Sequence, residues 1–595
     1  MSFRGHSLPL RLRVEALEER CTPATLFALT NSNQIVRFDS ASPGTIGGTA
    51  AIQGLNAGEQ VVGIDYRPRT GGLYGLAVDG NGTGTNARLV LINPLTGAAG
   101  EVGTGFTLTS GDPTARFGFD FNPTADRIRV VTSTGLNLRV NPNDGAVTAD
   151  TPLVPRMSPH VDGAAYDRNF DAQLGTNGTT LYTISSADVN LQTQGGVNGT
   201  PSPNGGTRTT VGPLGVGIDP NGSVGFDIAA NGAAYGIWDS TGGAPVTTRL
   251  FTVNLATGAA TDVGLVGDGS GSFLGLAVAP ESRVAVGSGS GTDARVEVYD
   301  PFSGTRLRTI DPYPGYRGGV TTAVGDVNRD GVPDVITGAI AGGGPHVKVF
   351  DGTSGAELYS FFAYDPGFRG GVTVAAGDVN ADGWADVVTG AGPGGGPHVK
   401  AFSGKDGTEL ASYFPYDAGF TGGVRVATGD FNNDGRDEIV TAAGPTGGPH
   451  VRLFGVDATV ASPFTAVAGL PDSFFAYDPG FTGGVWVAVG DTNGDGTADI
   501  VTGADTGGGP HVRAFNGKTG AELASFFAFD SDFTGGVRVG TGDADRDGRA
   551  EIFVGPASNR APVLRAFDGN TGNLLRSYDV VDGASSVFLG GFVGA

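Results

Sequence analysis

Apolar residues in this chain come in short runs bounded by turn-forming residues. Leu26-Phe27-Ala28-Leu29, Arg88-Leu89-Val90-Leu91-Ile92, Arg127-Ile128-Arg129-Val130-Val131 and Thr180-Leu181-Tyr182-Thr183-Ile184 are examples from residues 26–280. Runs of this length between Gly, Pro, Asn and Asp clusters predict strands joined by tight turns. A weak internal echo runs through the same region. Gly63-Ile64-Asp65-Tyr66-Arg67-Pro68 returns as Gly118-Phe119-Asp120-Phe121-Asn122-Pro123 and again as Gly225-Phe226-Asp227-Ile228. Stacked strand–turn–strand modules predict a β-propeller of about five blades. Gly275-Leu276-Ala277-Val278 is expected to pair with the first strand and close it.

From residue 281 the pattern becomes a clear repeat. One unit contains four strand signals: Gly371–Ala375, Asp386–Gly390, His398–Phe402 and Glu409–Tyr416. Four antiparallel strands in about 50 residues predict one propeller blade. Five units begin at Gly319, Gly371, Gly423, Gly484 and Gly536. Before them, Arg283–Gly287, Arg295–Tyr299 and Arg306–Ile310 match strands two to four with strand one missing. After them, Ser585–Gly590 matches strand one alone. The expected fold is therefore all-β, two propellers in tandem. The second, residues 281–595, is six-bladed, with the C-terminal strand completing its first blade and removing an exposed edge.

Between strands one and two each full unit carries Asp-x-Asn/Asp-x-Asp-Gly-x-x-Asp/Glu. These loops begin 52, 52, 61 and 52 residues apart, and the longer step points to an insertion around Asp457–Pro471. Alternate positions turn oxygens inward, and the Gly at position six permits the sharp turn. Such an all-oxygen set suits a hard cation, and a flexible cage favours Ca²⁺ over Mg²⁺. The side-chain ligands are Asp326, Asn328, Asp330 and Asp334 in the first loop, and Asp378, Asn380, Asp382 and Asp386 in the second. They are Asp430, Asn432, Asp434 and Glu438 in the third, Asp491, Asn493, Asp495 and Asp499 in the fourth, and Asp543, Asp545, Asp547 and Glu551 in the fifth. The carbonyls of Val332, Trp384, Arg436, Thr497 and Arg549 are the expected backbone ligands. Two loops end in Glu, so their sites are expected to differ in shape. An EF-hand is excluded, because position twelve is Thr337, Thr389, Thr441, Thr502 or Val554.

The pattern from Phe368 to Ala391 resembles the FG-GAP repeat of integrin alpha subunits and of many bacterial surface proteins. That resemblance covers residues 281–595 and implies a propeller with structural Ca²⁺ in the loops, about five ions in all. The Gly-x-Asp motifs of residues 26–280 resemble a bacterial secreted-protein domain of unassigned function. Residues 1–25, with Glu15-Ala16-Leu17-Glu18-Glu19-Arg20, resemble a leader of exported planctomycete-type proteins and are set apart as a targeting segment.

Charge and composition narrow the function. The net charge of −23 argues against nucleic-acid and anionic-membrane partners. The five loops hold 17 Asp and Glu, so bound cations would offset much of it. The single Cys21 excludes a disulfide framework, and no apolar run is long enough for a spanning helix. Four histidines, His346, His398, His450 and His511, open strand three and are expected to be structural, pairing with Asp365, Asp417, Asp478 or Asp530. The pairs Phe361-Phe362, Phe474-Phe475 and Phe526-Phe527 are expected between blades. Asp120, Asp126, Arg127 and Arg129 read as turn caps and inter-blade pairs rather than as a substrate cluster. No catalytic constellation stands out. The expected function is that of an exported, calcium-stabilised protein for adhesion or extracellular interaction with a protein or glycan, without catalysis. The alternatives are a carbohydrate-binding or hydrolytic enzyme with its site in the first propeller, and a purely structural envelope protein.

Overall fold

The computed structural model describes residues 24–595, apart from 81–85, 109–114, 155–160, 170–177, 220–221, 241–246, 341, 457–463, 466–472, 559–562, 580–586 and 590–595. Nearly all of the expected leader and most of the expected insertion thus lie outside the described residues. Among those described, the chain is all-β, with eleven antiparallel sheets, ten of four strands and one of five, and no α-helix.

Five sheets lie between Thr25 and Val278, with inner strands Glu59–Tyr66, Phe117–Asn122, Gly163–Tyr166, Val224–Ile228 and Phe273–Val278. The last of these pairs with Thr25–Thr30, Leu26 opposite Val278. Neighbouring inner strands pack on one another in order. Phe273–Val278 also packs on Glu59–Tyr66, which returns the packing to its start. Six sheets follow. Their inner strands are Val320–Gly325, Val372–Gly377, Val424–Gly429, Val485–Gly490, Val537–Gly542 and Val587–Leu589. The last pairs with Val284–Ser288, Val286 opposite Leu589, and packs on both Val320–Gly325 and Val537–Gly542. The arrangement is propeller-like in both halves.

Burial follows this geometry. First and second strands are covered on both faces, so Val320–Gly325 and Asp334–Ala339 are buried throughout. Third strands alternate: in His346–Phe350, Val347 and Val349 point inward while His346 and Lys348 lie half-exposed. The core sits between sheets. Ile336, Val347 and Val349 of one pack against Val372, Val374 and Val387 of the next. The hydroxyls of Tyr364, Tyr416 and Tyr477, on the crossovers, donate to the carbonyls of His398, His450 and His511 at 2.8–2.9 Å and tie adjacent sheets.

The histidines are structural elements of the repeat, but their partners are not the aspartates. Each Nε2 meets a serine hydroxyl of strand four: Ser360, Ser412, Ser473 and Ser525, at 2.7–2.9 Å. Asp365, Asp417 and Asp478 instead accept the amides of Gly367, Gly419 and Gly480. A carboxylate two residues ahead of an amide closes its own turn before it can reach another strand. The aromatic pairs divide. Phe361, Phe474 and Phe526 pack on Phe402, Phe515 and Phe567 of the next sheet. Phe362, Phe475 and Phe527 stack on the histidines and stay about half exposed.

The strand Val587–Leu589 covers the otherwise open edge of Val284–Ser288. Truncating the chain after Val580 is expected to lower the melting temperature by several degrees and to raise light scattering, because the freed edge can pair with another chain.

Candidate metal centre

The five acidic loops share one local geometry. The first Asp accepts two amides of its own loop, as Asp378 does from Asp382 and Gly383 at 3.1 and 2.7 Å. The position-five carboxylate accepts the amide of position seven, as Asp330 does from Val332 and Asp434 from Arg436, both at 2.9 Å. The position-nine carboxyl reaches back to position two. Asp334 accepts the amide of Val327 at 3.0 Å, and Asp386 that of Val379 at 3.1 Å. Glu438 accepts that of Phe431 at 2.9 Å, and Glu551 takes the corresponding place at Ala544. The longer Glu side chain reaches the same position-two amide as Asp, and the second oxygen of Glu438 accepts from the Asn432 side chain of its own loop. Asp334, Asp386 and Asp499 also accept an amide of the next hairpin, from Gly352, Gly404 and Gly517.

Two left-handed residues shape every loop. Position six is Gly331, Gly383, Gly435, Gly496 or Gly548, with φ between 79° and 87°. Position four is also left-handed, at Arg329, Ala381, Asn433, Gly494 and Arg546, with φ from 59° to 76°. Only the fourth loop has Gly there, so the other four hold a side chain in a conformation that costs about 1 kcal/mol.

The carboxyls are crowded and buried. Burial, followed by repulsion from their loop partners, raises Asp326, Asp378 and Asp491 to about 6. Asp334 and Asp386 rise to about 8, again chiefly through burial. Burial raises Glu438 to about 8 as well. In the fifth loop, oxygens of Asp543, Asp545 and Glu551 all lie within 4.8 Å of one another. Burial and mutual repulsion drive Asp543 and Glu551 well above the usual carboxylate range. An all-oxygen donor set that disfavours its own ionisation is suited to a hard cation.

Because each loop follows an inner strand, the first Asp of all five gathers around one mouth. Asp326, Asp378, Asp430, Asp491 and Asp543 line a cavity of about 240 Å³. The preceding half of the chain reaches into it. Arg69 and Thr70 line the same cavity, and Arg69 forms an ion pair with Asp430. The Asn93 side-chain amide donates to Asp545 and Asp547 at 3.5 and 3.4 Å. Gly548 packs so closely on Gly72 that an added Cβ would lie 2.8 Å from its Cα. Sequence reading did not place Arg69, Thr70 or Asn93 here, and no local motif marks them.

In the first half, the four residues read as caps and pairs do not form one site. Asp126 pairs with Arg67 of the neighbouring sheet. Arg127 donates to the carbonyl of Asp126, and Arg129 is buried on Asn137, Asp150 and Asn204. Asp120 lies elsewhere, on the inner strand, where Asp65, Asp120 and Asp227 bring carboxylate oxygens within 4.8 Å of one another. All three are buried, and burial raises each, Asp227 to about 7. The signal for this meeting was the recurring Gly-x-Asp of the inner strands. A cavity lined by the neighbouring Tyr66, Ala229 and Val278 measures about 20 Å³, whereas Arg127 and Arg129 line a separate one of about 300 Å³ together with Arg139 and Tyr166.

Two outcomes follow for the loops. Ala381→Gly is expected to stabilise the chain by up to about 1 kcal/mol in denaturant unfolding, by releasing the left-handed strain at position four. Without divalent cations, Asp334, Asp386 and Glu438 favour the fold in their protonated form, with folded values of about 8. Their contribution is complete below about pH 4 and is lost as pH rises through about 8. The melting temperature in EDTA is therefore expected to fall from about pH 5 to about pH 8.5, and Asp386→Asn should flatten that slope.

Comparison with known proteins places both halves. Residues 34–277 match the model of a domain of unknown function, DUF4394. Residues 378–441 match an FG-GAP-like repeat and residues 483–521 an FG-GAP repeat. No curated protein matches the chain. Among solved structures, a protein of unknown function from Bacteroides caccae covers 52% of this chain and 98% of its own, with 11% identity and a TM-score of 0.33. Rhamnogalacturonan lyase YesW covers 79% of this chain and 76% of its own, with 15% identity and a TM-score of 0.27. A chain of a nidogen/laminin complex covers 57% and 93%, with 12% identity and a TM-score of 0.18. The chain joins a DUF4394 region to FG-GAP-type repeats.

Proposed function

We propose that this is an exported, calcium-stabilised protein for adhesion or extracellular interaction, with no catalytic role. Its two halves act as a five-bladed and a six-bladed propeller in tandem, and residues 1–25 direct export. One observation supports the reading above others: five in-phase acidic loops, three of them within residues that match FG-GAP-type repeats, share the same amide-to-carboxylate geometry and face one mouth. Each loop offers oxygens from positions one, three, five and nine, and the carbonyl at position seven. With water, that meets the six to eight oxygens Ca²⁺ takes. The ion offsets the repulsion of the buried carboxyls, so its binding energy adds to folding energy.

The interaction surface is placed on the opposite face. The loop mouth is partly covered by Arg69 and Thr70. The far ends of strand four carry Phe362, Phe414, Phe475 and Phe527, 48–55% exposed, beside the Gly-rich loops before strand three. Exposed aromatics grouped on one face mark a binding surface for a protein or glycan. Among the described residues, no helix is long and apolar enough to cross a membrane.

Calcium is expected to raise the melting temperature of the full chain and EDTA to lower it, with Asp386→Asn reducing the difference. An EDTA-insensitive melt would count against calcium in the loops. A glycan and surface-protein binding screen with and without calcium tests the interaction. Binding should weaken at least tenfold in a Phe414→Ser/Phe527→Ser variant, and full retention would move the binding surface elsewhere.

A further inference from the structure

The three inner-strand aspartates of the first half form a second kind of site. Asp65, Asp120 and Asp227 occupy equivalent positions on the strands Glu59–Tyr66, Phe117–Asn122 and Val224–Ile228. Each is 1% exposed. Each also clamps the following sheet. Asp65 accepts the amide of Phe121, Asp120 that of Tyr166, and Asp227 that of Val278, at 2.6–2.7 Å. The two remaining inner strands place Ala165 and Ala277 at this level, both fully buried and neither carrying charge.

The charge at this centre is not balanced by side chains. The charged groups acting most strongly on Asp65 and Asp120 are one another and Asp227. Asp65 and Asp227 each have both oxygens engaged by backbone amides. Asp120 engages a backbone amide only through Oδ2; its Oδ1 is buried, meets no amide, and has only the carboxyl of Asp65 within reach, with which it can share a proton. A buried carboxylate oxygen without a donor is destabilising unless a proton or a cation meets it. Oxygens from three carboxylates within 4.8 Å of one another are spaced to be shared by one ion. The donor set is oxygen only, which selects a hard divalent cation rather than a soft one.

We propose that Asp65, Asp120 and Asp227 bind one hard divalent cation on the central line of the first half, separate from the five acidic loops. Its role is structural. It holds three of the five inner strands at one level, where each carboxylate already fixes the next sheet through an amide.

Asp120→Asn separates a cation from a shared proton. The amide must turn Oδ1 toward the Tyr166 amide, which points Nδ2 at the centre and repels a cation. Full-length wild type and Asp120→Asn are equilibrated with CaCl₂ and freed of unbound ion, and calcium per chain is counted by inductively coupled plasma mass spectrometry. The expected result is one ion fewer per chain in the variant, with a lower melting temperature in calcium. An equal count overturns the proposal. An equal count with a higher melting temperature identifies a proton shared between Asp65 and Asp120 instead. Should the variant not fold, wild-type crystals grown with MnCl₂ give the same decision. An anomalous peak among the three carboxylates supports the site, and a featureless centre rejects it.

Discussion

The second half of this chain depends on one interaction, the buried position-nine carboxyl that holds a backbone amide of its own loop and, in three of the five loops, a second one from the next hairpin. Asp334 receives the amide of Val327 in its own loop and that of Gly352 in the next hairpin of its sheet. Asp386 and Asp499 do the same in their units. This single side chain joins an acidic loop to the far hairpin and sets where the second strand starts. It also places negative charge in a desolvated position, where it repels Asp326 and Asp330. The loop is well formed by amides yet poor at tolerating its own charge, and a cation resolves that conflict more completely than any hydrogen bond.

The same tension appears at the mouth that the loops share. Five first-position aspartates converge there, and one of them meets Arg69 from the other half of the chain. A guanidinium at this point offsets charge for one loop and ties the halves together. Asn93 adds a neutral donor at the fifth loop. The loops and the contact between the halves draw on the same carboxylate oxygens: Oδ2 of Asp430 accepts from both Gly435 and Arg69. The first half has its own version of the problem at Asp65, Asp120 and Asp227, where acidic residues again sit at the innermost level of the sheets.

Strain is distributed in step with this chemistry. Left-handed backbone at position four aims the ligand oxygens of positions three and five inward, and four of five loops accept a side chain there. Strained backbone of this kind persists where the surroundings over-determine it. The amides donated to the first Asp supply that constraint.

Much of this was legible in the chain itself. The loops could be read because all their oxygens lie within nine residues, and local spacing dictates local geometry. The sheets could be read because strand periodicity and turn chemistry repeat every 50 residues or so, which also exposed the missing strand near residue 281 and its counterpart near Ser585. Tertiary structure alone decided the rest. Asp430 and Arg69 are 361 residues apart, and their meeting depends on how two whole sheet assemblies dock. The aspartate triad depends on three inner strands arriving at the same level. The histidines chose serines over aspartates because strand pairing set their reach. Short-range pattern encodes which atoms a segment offers; only packing between distant segments determines which of them face each other.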